Sequence, residues 1–194
     1  AEQTPNFGAI GPMLISKTGS VQKSHWREPT LINTFLSIYH LDFLNYYKNY
    51  KDISLKKFNE VDSVSGGAML IPKEKFCELG GLNEDLFWME DIDFCKRLRS
   101  FNYGVYHSQN TKIIHFAGKS SIKNYKIAIS NQMLSKLKYF KIYHSNLKTQ
   151  FLKLLIIALC LLKIILFSIL YIFKIENRAK LKAYLKTLRL IFMN

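Results

Sequence analysis

The stretch that decides the fold is GGAMLIPKEKFCELGGLNEDLFWMEDIDFCKRLR, which occupies residues 66–99. Within it, Lys73–Leu79 predicts a short helix that ends at Gly80, because glycine readily takes the left-handed conformation of a helix C-cap. Asp91–Phe101 predicts a second helix with acidic residues in its first turn and basic residues in its last, which complements the helix dipole. The stretch therefore predicts two helices joined by a glycine turn.

Apolar segments on both sides of this stretch predict strands, and longer segments predict helices. Glycines interrupt one of the strands at Gly66 and Gly67, where a backbone bends or a ligand comes close. The predicted strands are Phe7–Ser16, Val61–Pro72, Val105–Tyr106 and Lys112–His115. The remaining soluble helices are predicted within Thr30–Tyr50 and over Ala128–Tyr143. Strands that alternate with helices predict an α/β fold.

The charge of the chain is concentrated near its C-terminal end. The 194 residues carry 28 Lys and Arg against 14 Asp and Glu, a formal net charge of +14. Twelve of the bases and only one acid, Glu176, lie from residue 136 onward, so this segment alone carries +11. These bases flank the most apolar segment of the chain, which favours an anionic membrane over nucleic acid as the partner. We therefore predict no nucleic-acid binding.

That apolar segment, Phe151–Phe173, has 23 residues. As a helix it would be about 34 Å long, enough to cross a bilayer core of roughly 30 Å. Lys153 and Lys163 interrupt it, and Lys163 lies near its middle, where a charge is costly in hydrocarbon. A helix that lies on the membrane surface would let both basic flanks meet the same leaflet, and a buried core helix is the alternative to either membrane arrangement.

The last segment, Arg178–Phe192, has the pattern of an interfacial amphipathic helix. Its apolar residues on one predicted face are Leu181, Tyr184, Leu185, Leu188 and Phe192. A solvated helix in a bundle is the other interpretation of this pattern. We predict that residues 151–192 bind the membrane surface as part of a helical tail over residues 146–194.

An acidic cluster holds the candidate chemistry. Five of the fourteen acids fall within ten residues, namely Glu84, Asp85, Glu90, Asp91 and Asp93. At the start of a helix, Glu90 and Asp91 would face the positive end of the dipole, and this structural role would be sufficient to explain them. Phe87 and Trp88, just before the pair, would place an aromatic wall beside a carboxylate that could accept a proton from a hydroxyl. The residues alone leave both interpretations open.

Residues 66–99, followed by YGVYHSQNTKIIHFAGKSS at residues 103–121, resemble the C-terminal half of family 2 glycosyltransferases of the GT-A fold. The most similar subgroup is the rhamnosyltransferase-like one that builds bacterial surface polysaccharides. The resemblance covers roughly residues 8–143. It implies that residues 1–145 are the acceptor-binding, catalytic half of a Rossmann-like GT-A domain, followed by the membrane tail.

The resemblance also implies roles for individual residues. The family's catalytic motif matches Met89-Glu90-Asp91, which implies that Asp91 deprotonates the acceptor hydroxyl and Glu90 orients the acceptor. A histidine that helps to hold the divalent metal, Mg²⁺ or Mn²⁺, matches His115. Taken by itself, His115 would be a core histidine at the end of a strand. The implied substrate-binding residues are Gly66 and Gly67 beside the acceptor, Trp88 stacked on it, and Ser120 and Ser121 at the donor diphosphate.

One departure from the family pattern concerns the nucleotide-binding half, which carries an Asp-x-Asp metal motif. The chain has no room for it, and its only such string, Asp91-Ile92-Asp93, overlaps the catalytic helix. The chain also lacks an initiator Met, so we expect that it begins inside a longer polypeptide. The sequence is then either a fragment of a full enzyme or a remnant that is inactive until its other half is supplied.

The resemblance implies an inverting transfer of a sugar from a nucleotide-sugar donor to a hydroxyl of a surface polysaccharide or lipid-linked glycan. The expected location is the cytoplasmic face of the bacterial inner membrane. An alternative from another class is a non-catalytic, membrane-bound module that holds glycans or partner proteins. A membrane-surface protein whose acidic cluster is purely structural is the third possibility.

Overall fold

The structure is a computed structural model, which describes residues 6–41, 58–116, 125–171 and 177–193. In chain order its elements are β1 (Phe7–Ile15), β2 (Val21–Gln22), β3 (His25–Trp26), α1 (Leu31–Ile38), β4 (Phe58–Glu60), β5 (Ser63–Val64), α2 (Lys73–Glu78), α3 (Glu90–Ser100), β6 (Gly104–Ile114), α4 (Tyr125–Tyr143), α5 (Asn146–Tyr171) and α6 (Asn177–Met193). The combination of strands and helices confirms the predicted α/β class.

The chain divides into two compact units. The first, which we name the sheet unit, comprises Ala1–Pro29, Tyr47–Asp85 and Met89–Ala117, and so contains all six strands with α2 and α3. The second, the helical unit, comprises Thr30–Tyr46, Leu86–Trp88 and Gly118–Asn194, and contains α1 and α4 to α6. The predicted boundary between a domain over residues 1–145 and a tail over residues 146–194 stays a prediction.

The sheet unit contains a mixed four-stranded sheet in the order β2-β1-β6-β4, and β3 pairs with β5 in a second, two-stranded sheet. The two central strands, β1 and β6, are parallel, whereas the outer strands pair with them in antiparallel fashion. Helix α3 packs on strands of both sheets through a core of Ala9, Val64, Phe94, Cys95, Leu98 and Val105. The helical members of the core recur at i, i+1 and i+4, the spacing of one buried helix face.

Two predicted strands differ from the structure. Val61–Pro72 is interrupted at Gly66 and Gly67 as predicted, by a turn at residues 66–68, but it is less regular than a broken strand: only Ser63–Val64 lies in a strand, and Leu70 makes a single bridge to Ile10. The two short strands predicted near residues 105 and 115 are instead one strand, β6. Its pairing with β1 jumps between Pro12 and Met13, where residues 109–111 bulge out of the ladder. A bulge accommodates extra residues without ending a strand.

The predicted helices agree better with the structure. Helix α2 has the predicted start, and α3 starts and ends one residue before its predicted bounds. Helix α1 lies inside the segment predicted to contain one, and its N-cap is Thr30, whose Oγ1 accepts a hydrogen bond from the backbone N–H of Asn33 (3.2 Å). Side chains that hydrogen-bond to the first free N–H groups favour this kind of helix start.

In the helical unit, α4, α5 and α6 pack against one another. The Tyr184 ring of α6 stacks on the Phe167 ring of α5, with 5.9 Å between the ring centroids. The Ser130 hydroxyl of α4 donates a hydrogen bond to the carbonyl of Ala183 in α6 (3.3 Å). Tyr184 belongs to the apolar face that we predicted to meet the membrane, and here it is buried inside the unit. This part of α6 behaves as a bundle helix.

Helix α5 is the only helix within the described residues that is long and apolar enough to cross a membrane. It begins five residues before the predicted start, at Asn146. Its inner face is buried at Leu152, Ile156, Leu159 and Cys160, but most of its apolar side chains are exposed. This exposure is the opposite of what a buried core helix would show, although length and composition by themselves are weak evidence for a membrane span.

Candidate functional site

Two glycines lie between a carboxylate and an imidazole in the sheet unit. The backbone N–H of Gly66 donates a hydrogen bond to Oδ2 of Asp91 (2.8 Å). A Cβ placed on Gly66 would lie 3.3 Å from the Cβ of Asp91, and a Cβ placed on Gly67 would lie 3.1 Å from Nε2 of His115. Both distances are tighter than ordinary van der Waals contact. The structure therefore brings together four of the predicted site residues, Gly66, Gly67, Asp91 and His115, which we call the turn site.

Three elements hold the turn site in place. The turn itself follows β5, where the N–H of Ser65 donates to the carbonyl of Ser24 (2.9 Å) and the N–H of Gly67 donates to Oγ of Ser65 (3.1 Å). Asp91 is in the first turn of α3. His115 directly follows β6, and its N–H donates to the carbonyl of Ile15 in β1 (2.8 Å). The parallel pairing of β1 with β6 thus positions the imidazole.

The Asp91 carboxyl is unusually basic for an aspartate. Burial raises its pKa to about 6 and the neighbouring charge of Glu90 adds to this, although the N–H groups of Gly66 and Ile92 oppose the shift by donating to the charged form. A carboxyl with this pKa is mostly ionised at pH 7 and still takes up a proton readily. Strongly shifted carboxyls of this kind are concentrated at functional sites.

Asp91 and Asp93 serve different purposes although they are two residues apart. Asp93 is buried and forms a salt bridge with Arg97 (2.7 Å), one turn further along α3. Arg97 in turn donates to the carbonyl of Gly81 (2.8 Å), which ties the helix to the preceding loop. Among the described residues, the salt bridges involve Asp93, Glu28 and Asp62 as acids and do not involve Asp91. Asp93 is structural, whereas the Asp91 carboxylate forms no salt bridge within the described part of the chain.

Glu90 adds a second polar group beside Asp91. Its Oε2 atom is buried and has no hydrogen-bond partner among the described residues. Leaving a buried carboxylate oxygen without a partner costs about 1–3 kcal/mol or more, so such an atom is a good position for a ligand hydroxyl.

Gln22 was not among the predicted site residues, and it makes two hydrogen bonds with His115. Oε1 of Gln22 lies 3.0 Å from Nδ1 of His115, and Nε2 of Gln22 donates to the His115 carbonyl (3.1 Å). With the amide assigned in this way, Nδ1 carries the proton of the neutral ring and Nε2, next to Gly67, is an unprotonated acceptor. A single glutamine in a two-residue strand gives no sequence signal for this contact.

The remaining predicted site residues are Trp88, Ser120 and Ser121. Trp88 belongs to the helical unit, where its ring stacks on Phe87 with 5.1 Å between the centroids. It takes a left-handed backbone conformation (φ 64°) directly before the N-cap of α3, Met89, and its side chain is 43% exposed. Ser120 and Ser121 are outside the described residues. Their predicted contact with a donor diphosphate stays a prediction.

The described residues do not provide a complete ligand set for the predicted Mg²⁺ or Mn²⁺ ion. In residues 6–41, 58–116, 125–171 and 177–193, no group of three or more His, Cys, Asp or Glu side chains could hold a metal ion. His115 offers one nitrogen, and divalent cations in proteins need several ligands. The described residues by themselves therefore do not supply a complete ligand set for this ion.

Comparisons with known proteins give one similar protein. No protein-family model matches the chain, and no solved structure matches it. The chain is 34% identical over 115 residues to the low-salt glycan biosynthesis hexosyltransferase Agl10 of Haloferax volcanii. This match covers 58% of the chain and 34% of the relative, so the chain spans about a third of the relative's length. The similarity supports a relationship to glycosyltransferases of glycan biosynthesis.

Proposed function

We propose that this chain is the acceptor-binding, catalytic part of an inverting glycosyltransferase of family 2 and of the GT-A fold. It would transfer a sugar from a nucleotide-sugar donor to a hydroxyl of a lipid-linked or surface-polysaccharide glycan. The observation that carries the proposal is the partly buried Asp91 carboxylate, which accepts a hydrogen bond from Gly66 and has no basic neighbour among the described salt bridges. The similarity to a hexosyltransferase supports the same class of reaction.

In the proposed step, Asp91 is the general base. Its Oδ2 is oriented by the N–H of Gly66, and the carboxylate removes the proton of an acceptor hydroxyl as that oxygen attacks the anomeric carbon of the donor. The bond from this carbon to the diphosphate breaks on the opposite face, so the configuration inverts and the nucleoside diphosphate leaves with the electron pair. A pKa of about 6 suits this role, because the base is ionised at neutral pH and binds the proton it receives.

Glu90 orients the acceptor in this proposal. Its unpartnered Oε2 would accept a hydrogen bond from a second sugar hydroxyl, which would satisfy the buried atom and fix the sugar relative to Asp91. Gly66 and Gly67 leave the space for the acceptor next to the turn, and the exposed Trp88 ring offers a stacking surface for a sugar. The rhamnosyl or other hexosyl nature of the transferred sugar is part of the proposal.

In this proposal His115 would face the donor, and Ser120 and Ser121 would bind the donor diphosphate. A Mg²⁺ or Mn²⁺ ion would neutralise the charge of the leaving diphosphate. His115 supplies one ligand at most, so the other ligands would come from outside the described residues. The proton transfer to Asp91 does not depend on how that ion is held.

The helical unit would keep the enzyme at the cytoplasmic face of a bacterial inner membrane, near a lipid-linked acceptor. A non-catalytic membrane-bound module that holds glycans is the second candidate. Such a module would bind a glycan at the turn site without transferring sugar, and the similarity to a hexosyltransferase favours the enzyme over it.

The test is the Asp91→Asn variant in the product of the complete reading frame. Because a general base contributes roughly 10²- to 10⁴-fold, we expect sugar transfer to fall by that factor while nucleotide-sugar binding is retained. The matched control is Glu84→Gln, which neutralises an exposed acid of the same cluster and should transfer sugar normally. Normal turnover of Asp91→Asn would remove Asp91 from its role, and glycan binding without any transfer by the unaltered protein would favour the module.

A further inference from the structure

One face of α5 is exposed and entirely apolar. Its outermost side chains are Phe151, Leu154, Leu161, Leu162, Ile165 and Ile169, which we call the outer face. Leu154 is 63% exposed and Ile165 is 61% exposed. At 100° per residue, all six positions fall within one sector of the helix. From Phe151 to Ile169 this apolar surface is about 27 Å long, at 1.5 Å per residue.

Two of the three lysines of α5, Lys153 and Lys163, lie on the other side of the helix, and the third, Lys148, is exposed in the first turn, before the outer face begins. Lys163 follows Leu159 by four residues and Ile156 by seven, so it shares the face that is buried inside the helical unit. Lys153 precedes Ile156 by three residues and is also on that side. Both lysines are half-buried. The charge near the middle of the apolar segment therefore does not interrupt the outer face.

The inner face of α5 is covered by the unit's other helices. The Tyr39 hydroxyl, which directly follows α1, donates to the carbonyl of Leu155 in α5 (3.0 Å). Near the other end, the Lys180 Nζ of α6 lies 5.5 Å from the centre of the Phe167 ring. If α5 crossed a bilayer, this partner helix and its bases would have to enter the hydrocarbon with it, which is costly. A helix that lies in the membrane plane avoids this cost.

We propose that α5 lies in the plane of an anionic bilayer surface, with its outer face inserted among the lipid chains and its inner face against the protein. The positive charge of the chain from residue 136 onward favours an anionic bilayer as the partner of the outer face. From residue 136 onward there are twelve bases and one acid, so a second copy of this chain would bring like charges together. An anionic bilayer offers hydrocarbon and negative charge at the same place. This inference deepens the membrane association that forms part of the proposed function, and it uses none of the turn-site residues.

The test is flotation of the full chain with lipid vesicles, either neutral phosphatidylcholine or a mixture with phosphatidylglycerol. We expect flotation with the anionic vesicles and much less with the neutral ones. The Leu162→Asp/Ile165→Asp double variant should bind at least about tenfold more weakly, because it puts two charges in the apolar face. The matched control is Val21→Asp, which changes a 69% exposed apolar residue of the sheet unit and should float normally. Circular dichroism of each variant checks that it is folded.

Further measurements distinguish a helix in the membrane plane from a spanning helix and from a dimer interface. Alkaline carbonate should release the in-plane protein from the vesicles, whereas retention would overturn the proposal in favour of a spanning helix. Lys163→Leu should leave binding nearly unchanged, and a gain of tenfold or more would also indicate spanning. Normal flotation of the folded double variant would overturn the proposal, as would a vesicle-independent dimer that the double variant abolishes. Sugar transfer is not measured, so these outcomes are independent of the role of Asp91.

Discussion

The sheet unit and the helical unit use polar residues in opposite ways. In the sheet unit, hydrogen bonds with Gly66 and Gln22 orient a carboxylate and an imidazole around a two-glycine turn. In the helical unit, the Ser130 hydroxyl bonds to a backbone carbonyl of the neighbouring helix, and the longest helix exposes an apolar face. The acids follow the same division, since only one of the fourteen comes after Asp93. The difference teaches that the proposed chemistry and the proposed anchoring depend on separate sets of residues, which can be altered one at a time.

The largest expected difference between the two units is in stability. Phe94→Ala removes a fully buried ring from the core of the sheet unit and should lower the free energy of unfolding by about 3–5 kcal/mol. Phe151→Ala truncates a ring of the same size that is 51% exposed on α5. This variant should change the free energy of unfolding by less than about 1 kcal/mol in the absence of lipid. Chemical denaturation of both variants measures this contrast, and equal losses would show that Phe151 is buried in solution.

The second prediction concerns the ion pair between Asp93 and Arg97 in α3. Arg97→Ala leaves the buried Asp93 carboxylate without its partner and should destabilise the protein by about 2–4 kcal/mol. Arg189→Ala, on the exposed side of α6, is the matched control and should have an effect below about 0.5 kcal/mol. Thermal unfolding followed by circular dichroism measures both, and a neutral Arg97→Ala would mean that Asp93 finds another partner.

The third prediction is a pH dependence that belongs to the turn site alone. Asp91 must be ionised to act as a base, so kcat/KM for sugar transfer should fall about tenfold per pH unit below its pKa of about 6. Glu90→Gln removes a charge that raises this pKa, so the acid limb should move to lower pH. Vesicle binding should show no such transition between pH 5 and 7. A rate profile that is flat through pH 6 would contradict the assignment of the base.

The same shift has a consequence for stability, and its sign is opposite to the usual one for an aspartate. The pKa of Asp91 is higher in the folded chain than its ordinary value of 3.8, so the folded state holds the proton more tightly. The stability that this carboxyl contributes is present below about pH 4 and is lost as the pH rises through about 6. Asp91→Asn should therefore be at least as stable as the unaltered protein at pH 7, which allows its loss of activity to be separated from unfolding.

The smallest expected effect is that of the clamp on His115. Gln22→Ala removes a hydrogen bond to Nδ1, which is worth about 1 kcal/mol, and should lower sugar transfer by about fivefold. Nitrogen NMR of His115 should show a proton on Nδ1 in the unaltered protein and a mixture of tautomers in the variant. Gln22→Glu keeps an acceptor for Nδ1 and should restore the single tautomer. An unchanged spectrum of Gln22→Ala would show that the clamp does not select the tautomer.

Much of the local structure could be predicted from the residues themselves. The bounds of α3 agree within one residue, because its charged ends and its apolar face follow helix periodicity. The two glycines next to Asp91 were predicted to mark a close approach, and a Cβ on either one would be crowded by a predicted site residue. What could not be predicted is the single strand β6, because local alternation does not reveal a bulge that long-range pairing with β1 bridges.

Periodicity, glycine placement and charge determined which segments are helices and strands, where acids and bases lie, and that α5 is apolar, because these properties depend on neighbours within a few residues. Only the tertiary structure decided that Gln22 meets His115 across 93 positions, and that Lys163 shares the inner face of α5. Contacts of this kind depend on strand pairing and helix packing. The same physical reason accounts for the basicity of Asp91, since burial arises only when distant segments enclose a side chain.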